Sequence, residues 1–179
     1  MNAEPKKKVN ISVELLTTIN NIDLADLCNI TEQAITAGGG FGWLNAPTRD
    51  VLKKYWKGLV LIENRKLIVG RLNEAIAGTL QLIFQPPNNQ AQQNIFNVSS
   101  HFVAPWARGH GLAKKMIDKA EIIGIESGAN CAQLDVRETQ DAAIQLFKSK
   151  GYIRWGVNPN YAQVNGKNIK GYYYYKKLK

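Results

Sequence analysis

Apolar positions change their period several times along the chain, and each change marks an element. Residues Val9 to Leu16 alternate, with Ile11, Val13 and Leu15 on one face, which predicts a strand. Asp23 is a capping residue by type. After it, Leu24, Leu27, Cys28, Ala34 and Ile35 recur at helical spacing until Gly38-Gly39-Gly40 ends the run, which predicts a first helix. Phe41-Gly42-Trp43-Leu44 reads as a loop with two aromatics at risk of exposure. Pro47-Thr48 then opens a second helix through Val51, Leu52, Tyr55, Trp56, Leu59 and Val60, with its stop near Asn64. From Leu67 the period is two: Leu67 to Leu72 and Ala75 to Phe84 read as a hairpin turned at Asn73-Glu74, with Gly78 marking a bulge or a close backbone approach.

Residues 85–93 form a polar, proline-bearing loop, and Asn94 to Val103 is the next predicted strand, stopped by Pro105. A third helix from His110 to Ser127 buries Leu112, Ala113, Met116, Ile117, Ala120 and Ile123 and ends at Gly128. Cys131 to Val136 is a strand. Gln140 to Lys150 is a fourth helix packing Ala143, Ile144 and Phe147, closed by Gly151. Another extended run starts at Tyr152. Asn165-Gly166 turns Tyr161 to Val164 into a last strand around Tyr172 to Tyr175. The order β-α-α-β-β-β-α-β-α-β-β describes one α/β domain with a mixed sheet of about seven strands and about four helices.

Composition narrows the class. The chain has 179 residues, of which 45% are apolar, enough for one sizeable core. The basic start at residues 1–8 is expected to be mobile and residues 9–179 to form a single domain. No apolar run approaches the ~18 residues that cross a bilayer, and the N-terminus has no apolar signal core, so a cytoplasmic protein without membrane contact is expected. Cys28 and Cys131 form no C-x-x-C pair, read as two buried thiols, and with only His101 and His110 beside them give no metal cage. The net charge of +9 favours anionic ligands of any kind. The lysine clusters are scattered, and no nucleic-acid motif accompanies them, so no nucleic-acid partner is expected.

The most informative stretch is Phe102-Val103-Ala104-Pro105-Trp106-Ala107-Arg108-Gly109-His110-Gly111-Leu112-Ala113-Lys114-Lys115. It is a strand, a glycine-bearing turn and a helix start. Such a start presents unpaired amides and the positive end of the helix dipole, and glycine lets an anion come close. A helix start with two glycines can equally need no ligand. The phosphate-loop pattern G-x-x-x-x-G-K-[S/T] is absent, and G-x-G-x-x-G fails because Lys114 stands where its last glycine belongs.

Arg108-Gly109-His110-Gly111-Leu112-Ala113 resembles the Q/R-x-x-G-x-G/A motif of the GNAT N-acetyltransferases. Val103 and Pro105, Leu134-Asp135-Val136, and Ala143 to Tyr152 with its closing glycine and aromatic also fit that family's pattern, over about half the chain. The glycine-rich loop before Trp43, Gln81-Leu82, Gln85-Pro86, Tyr161 and the Tyr-Lys-x-Leu ending are similar to the tabtoxin-resistance group of small-molecule acetyltransferases. The resemblance implies a GNAT-like fold with a splayed sheet. It also implies an acetyl-CoA cofactor between the diverging strands, held by Phe102, Val103, Arg108, Gly109, His110, Gly111, Leu112, Ala113 and Lys114. A small-molecule amine would enter from the opposite side, past Trp43 and Tyr161, and the protein would be a monomer or homodimer. The chemistry implied is direct attack of a neutral amine on the thioester in a ternary complex.

An alkylammonium has a pKa near 10.4, so a base must take its proton. Two residues depart from the family there: Asn97 stands for a strand-four glutamate, and Phe147 for a helix-four tyrosine that serves as acid. Asp135 is the leading base candidate, acting through water, against the alternative that it braces the loop at residues 137–140. His101 is the second candidate. By alternation it shares a face with Ser99 and Val103, and an ordinary histidine pKa near 6.5 suits the task. Tyrosines 152, 161 and 172–175 are candidates for the missing acid, or simply strand residues. The departures leave open a catalytically degenerate acetyl-CoA-binding module, and the acceptor could also be a protein or peptide amine.

Overall fold

The computed structural model describes residues 9–39 and 41–179. The tail at residues 1–8 and Gly40 of the glycine run lie outside the described residues. The elements follow the predicted order: β1 (Ile11–Leu16), α1 (Asn21–Thr36), α2 (Arg49–Leu59), β2 (Arg65–Leu72), β3 (Ala75–Phe84), β4 (Ile95–Val103), α3 (Leu112–Glu126), β5 (Cys131–Arg137), α4 (Asp141–Ser149), β6 (Ile153–Val164) and β7 (Lys167–Lys177). The seven strands form one sheet ordered β1-β2-β3-β4-β5-β7-β6. Among the described residues only β4 and β5 pair in parallel. Both turns read from the sequence carry consecutive left-handed residues, Asn73-Glu74 and Asn165-Gly166, the geometry of tight two-residue hairpins. Among the described residues no helix is long and apolar enough to cross a membrane.

The crossovers β4-α3-β5 and β5-α4-β6 run in the same direction across the sheet, so right-handedness puts α3 and α4 on one face. An ion pair between Asp118 and Lys150 joins the two helices. The opposite face carries α1 and α2. There Trp56 is fully buried and its indole N–H donates to Thr31 at 3.2 Å. α3 lies close on the sheet because two strand positions lack side chains. A Cβ on Gly70 would stand 2.6 Å from Leu112 Cδ1, and one on Gly78 would stand 2.8 Å from the Phe102 carbonyl oxygen and 2.9 Å from Met116 Cε. The close approach expected at Gly78 is therefore present.

Several local expectations are corrected. Asn20, not Asp23, caps α1: its side chain accepts from the Asp23 amide at 2.9 Å. Asp23 is buried and spends its carboxylate on Arg71 at 2.7 Å, tying α1 to β2, while Arg71 also reaches Glu14 of β1 at 2.6 Å. Phe41 is buried, stacked on Trp43 and packed on Phe102 with ring centres 5.1 Å apart. Cys28 is buried but Cys131 only half so. α2 stops at Leu59, ahead of Asn64, and α3 starts at Leu112 because His110 and Gly111 stay in the turn.

The largest correction concerns β4. Ser100 has φ +47, and the β3–β4 register slips between Thr79 and Gln81. This bulge breaks the alternation on which His101 was assigned to the face of Ser99. Gln81 pairs with Ser99 and its side chain reaches Tyr55 of α2, so Ser99 faces α2. His101 instead packs on Phe147 of α4, ring centres 5.8 Å apart. It keeps the company of Val103 and lies on the far side of the sheet from Ser99.

Candidate active site

The register between β4 and β5 runs from Ile95↔Cys131 to Val98↔Leu134 and then ends, although β4 continues to Val103 and β5 to Arg137. The strands part there, and the turn after β4 sits at the mouth of the gap. A cavity of about 110 Å³ opens beside it, lined by Val103, Ala107, Arg108, Gly109, Gly111, Leu112 and Ala113. Gly109 (φ +82) and Gly111 (φ +73) hold left-handed conformations with nothing within 4 Å of where a Cβ would point. The first helical hydrogen bond of α3 is Lys115 N–H to the Gly111 carbonyl at 3.2 Å, so the amides of residues 112–114 have no intrahelical acceptor. Free amides, a positive helix end and space left by two glycines fit a phosphate group.

Of the expected cofactor residues, Val103, Arg108, Gly109, Gly111, Leu112 and Ala113 meet at this cavity. The other three do not line it. Phe102 is buried against Phe41 on the opposite face, Lys114 is exposed on the first turn of α3, and His110 folds back with Nδ1 at 3.1–3.2 Å from the Arg108 and Ala107 carbonyls. Ala107 was missed. A larger open groove of about 320 Å³ lies between β1 and α3, but Asp118, one of its polar groups, is paired with Lys150.

Asp135 and His101, the two base candidates, are on opposite faces. Leu134 pairs with Val98, Val98 is on the same face as Phe96, and Phe96 packs under Gly124 of α3; Asp135 therefore faces the α1/α2 side. Asp135 is exposed there and accepts a hydrogen bond from the Tyr161 hydroxyl. Burial, then that bond to the carboxylate, hold the Tyr161 hydroxyl well above the ordinary tyrosine range, so it stays a donor. His101 is held neutral: burial pushes its pKa down to about 4, against a weaker upward pull from the Ala113 backbone. Its Nε2 is buried with no partner among the described residues. Phe147 supplies no proton, and the Tyr152 hydroxyl behind it is buried, pushed up by burial and then by the Glu121 carboxylate.

Trp43 reaches the same face through β5. Arg137, two residues beyond Asp135, donates to the Phe41 carbonyl at 2.6 Å, and Gln140 donates to that of Gly38 at 2.9 Å. These bonds pin the loop that carries Trp43. Sequence reasoning missed Tyr55, whose ring lies 5.2 Å from that of Trp43, and gave no role to Gln81 beneath it.

Residues 27–152 match the Acetyltransferase (GNAT) family. The chain belongs to the GNAT acetyltransferases. It is 44% identical over 131 residues, 73% of this chain and 78% of the relative, to an uncharacterized N-acetyltransferase from the hisH-hisA intergenic region of Azospirillum brasilense. An N-acetyltransferase structure from Staphylococcus aureus Mu50 superposes with a TM-score of 0.81 at 18% identity, covering 95% of this chain and 99% of that one. The structure of yncA from Salmonella typhimurium, solved with its cofactor acetyl-CoA, has a TM-score of 0.77 at 15% identity and 94% coverage of both chains. This GNAT protein is thus an acetyl-CoA-dependent N-acetyltransferase with the mixed, seven-stranded fold of its family.

Proposed function

We propose that this enzyme acetylates a primary amine of a small molecule by direct attack within a ternary complex, with Asp135 as the base. The observation that carries the reading is the exposed Asp135 carboxylate at the parting of β4 and β5, on the face opposite α3 and held by Tyr161. Bound acetyl-CoA supplies the activated acyl group. The turn amides between Arg108 and Lys114 hold its diphosphate, with Val103 and Ala113 lining the way inward. Phe102, His110 and Lys114 contribute backbone or surface charge rather than side-chain walls.

Asp135 takes the proton of the incoming ammonium through a water, leaving the lone pair free to attack the thioester carbonyl; the C–S bond then breaks, coenzyme A leaves as its thiolate, and that thiolate takes up a proton from water. Tyr161 keeps that carboxylate aimed at the gap, and Trp43 walls the approach. His101 is buried against Phe147 on the other side of the sheet, away from the face where Asp135 is exposed, which supports Asp135 over it. The likeness of the Trp43 loop, Tyr161 and the Tyr-Lys-x-Leu ending to the tabtoxin-resistance group supports a small-molecule acceptor. Release of thiol from acetyl-CoA across a panel of amines, amino acids and peptides tests the reading. Asp135→Asn should cut turnover and flatten the low-pH limb of the pH profile while acetyl-CoA affinity holds. An unchanged profile would exclude Asp135.

A further inference from the structure

The face proposed for the acceptor holds a polar relay whose hydrogens can be assigned by chemistry alone. Gln81 is fully buried on β3. Its Oε1 accepts from Arg65 Nη1 at 3.3 Å, and its Nε2 lies 2.7 Å from the Tyr55 hydroxyl oxygen. An amide side chain can be placed either way round, but a guanidinium only donates, so the Gln81 oxygen must face Arg65. The Gln81 nitrogen must then face Tyr55 and donate to it. A phenol that already accepts in this way has its own proton left to give. Among the described residues no acceptor lies within reach of the Tyr55 hydroxyl other than Gln81, which is a donor there.

The position of this spare proton matters. Gln81 pairs with Ser99, Asn97 pairs with Gln133, and Asp135 pairs with Tyr173, so Gln81, Ser99, Asp135 and Tyr173 form one row across β3, β4, β5 and β7 on one face. Strands are about 4.8 Å apart, which separates Gln81 from Asp135 by about 10 Å at the backbone, more where the strands part. Tyr55 is half-buried and set edge-on to Trp43.

The geometry points to Tyr55 as an acceptor-recognition residue: its hydroxyl, oriented by Arg65 through Gln81, donates to an oxygen of an amine substrate whose nitrogen sits at Asp135. Arg65 and Gln81 are positioning residues. The substrate class is thereby an amine that also bears a carbonyl, carboxylate or hydroxyl oxygen at a distance, rather than a plain alkylamine. A site that spends a donor on its substrate discriminates against the analogue lacking the oxygen.

The inference rests on the acceptor reading of this face, and the test separates the two. Thiol release is measured with straight-chain ω-amino amides, from glycinamide upward, against the alkylamines of matching length. At the fitting length the amide should have a KM lower by about tenfold, the worth of one ordinary hydrogen bond. Tyr55→Phe should erase that preference by raising the amide KM to that of the matching alkylamine, with the acetyl-CoA KM unchanged. Gln81→Glu decides the matter. The carboxylate keeps Arg65 as its donor but can only accept from Tyr55, so it draws the phenol proton away from the substrate. It should erase the preference as fully as Tyr55→Phe, and the double variant should go no further.

A preference intact in Gln81→Glu would overturn the inference, as would a Tyr55→Phe variant that weakens amides and alkylamines equally. If Tyr55→Phe fails to fold, Gln81→Glu carries the test. If the wild-type enzyme turns over these amines without preferring amides, this inference falls and the acceptor reading stands. If it releases no thiol with any amine of either set, both fall.

Discussion

Gly70 lies on β2 beneath the first residue of α3, and adding one methyl there should weaken cofactor binding without touching the cofactor seat directly. In Gly70→Ala the new Cβ would meet Leu112 Cδ1 at 2.6 Å, Cγ at 2.7 Å and Cδ2 at 3.0 Å. Carbon atoms rest at about 3.5–4.0 Å, so the Leu112 side chain must retreat by about 1 Å. It has no free space to enter, since Leu112 is 1% exposed. The backbone of the first turn of α3 moves with it, and that turn lines the cavity beside Gly109 and Gly111. Overpacking of this kind costs about 1–3 kcal/mol. A cost of about 2 kcal/mol lowers the melting midpoint of a domain of this size by about 4–8 °C.

Two measurements check it: differential scanning calorimetry for stability and isothermal titration for acetyl-CoA affinity. Both should fall in Gly70→Ala. Leu112→Ala, which removes all three carbons that the methyl meets, should cost less on top of Gly70→Ala than it does in the wild type, a non-additivity expected of residues in contact. A Gly70→Ala protein with wild-type midpoint and wild-type affinity would refute the claim that β2 holds the turn in place.

Gly111→Trp places a side chain at φ +73 over the open amides and should abolish acetyl-CoA binding by titration; undiminished affinity would move the cofactor elsewhere. In Gly171→Ala the new Cβ would stand 2.1 Å from Tyr161 Cγ, so the ring must leave Asp135; turnover should fall by about tenfold with the acetyl-CoA KM unchanged, and full turnover would detach Tyr161 from the reaction. His101 carries a pH signature. Its folded pKa is about 4, below the unfolded value of 6.5, so the unfolded chain binds the proton first. Its contribution is present above about pH 6.5 and is lost as pH falls toward 4, with a slope of up to about 1.4 kcal/mol per pH unit. Urea unfolding of His101→Phe should lack that component, and parallel curves for both proteins would show that His101 is not held neutral.

The order of elements was legible because each announces itself locally. Alternation at Leu67 to Phe84, the helical stripe from Leu112 to Ile123, and turn residues at Asn73-Glu74 and Asn165-Gly166 need only neighbours in sequence to be read. The glycine turn at 108–111 was legible for the same reason. What failed was whatever depended on partners far along the chain. Asp23 looks like a cap until Arg71, 48 residues on, claims it. His101 changes face through one left-handed serine, a conformation that no composition rule assigns to Ser100. The Asp135–Tyr161 bond spans three strands, and the donor sense of Tyr55 follows only once Arg65, Gln81 and α2 are brought together.

The parting of β4 from β5 has an effect on how the molecule breathes. Beyond Val98 and Leu134 these strands no longer satisfy each other, so a row of amides and carbonyls near the middle of the sheet behaves like an outer margin. Hydrogen–deuterium exchange in the free protein should therefore be fast in two places, at the periphery along β1 and β6 and along this inner seam. A protein whose weakest line passes through its centre gains more from a bound occupant than one frayed only at its rim.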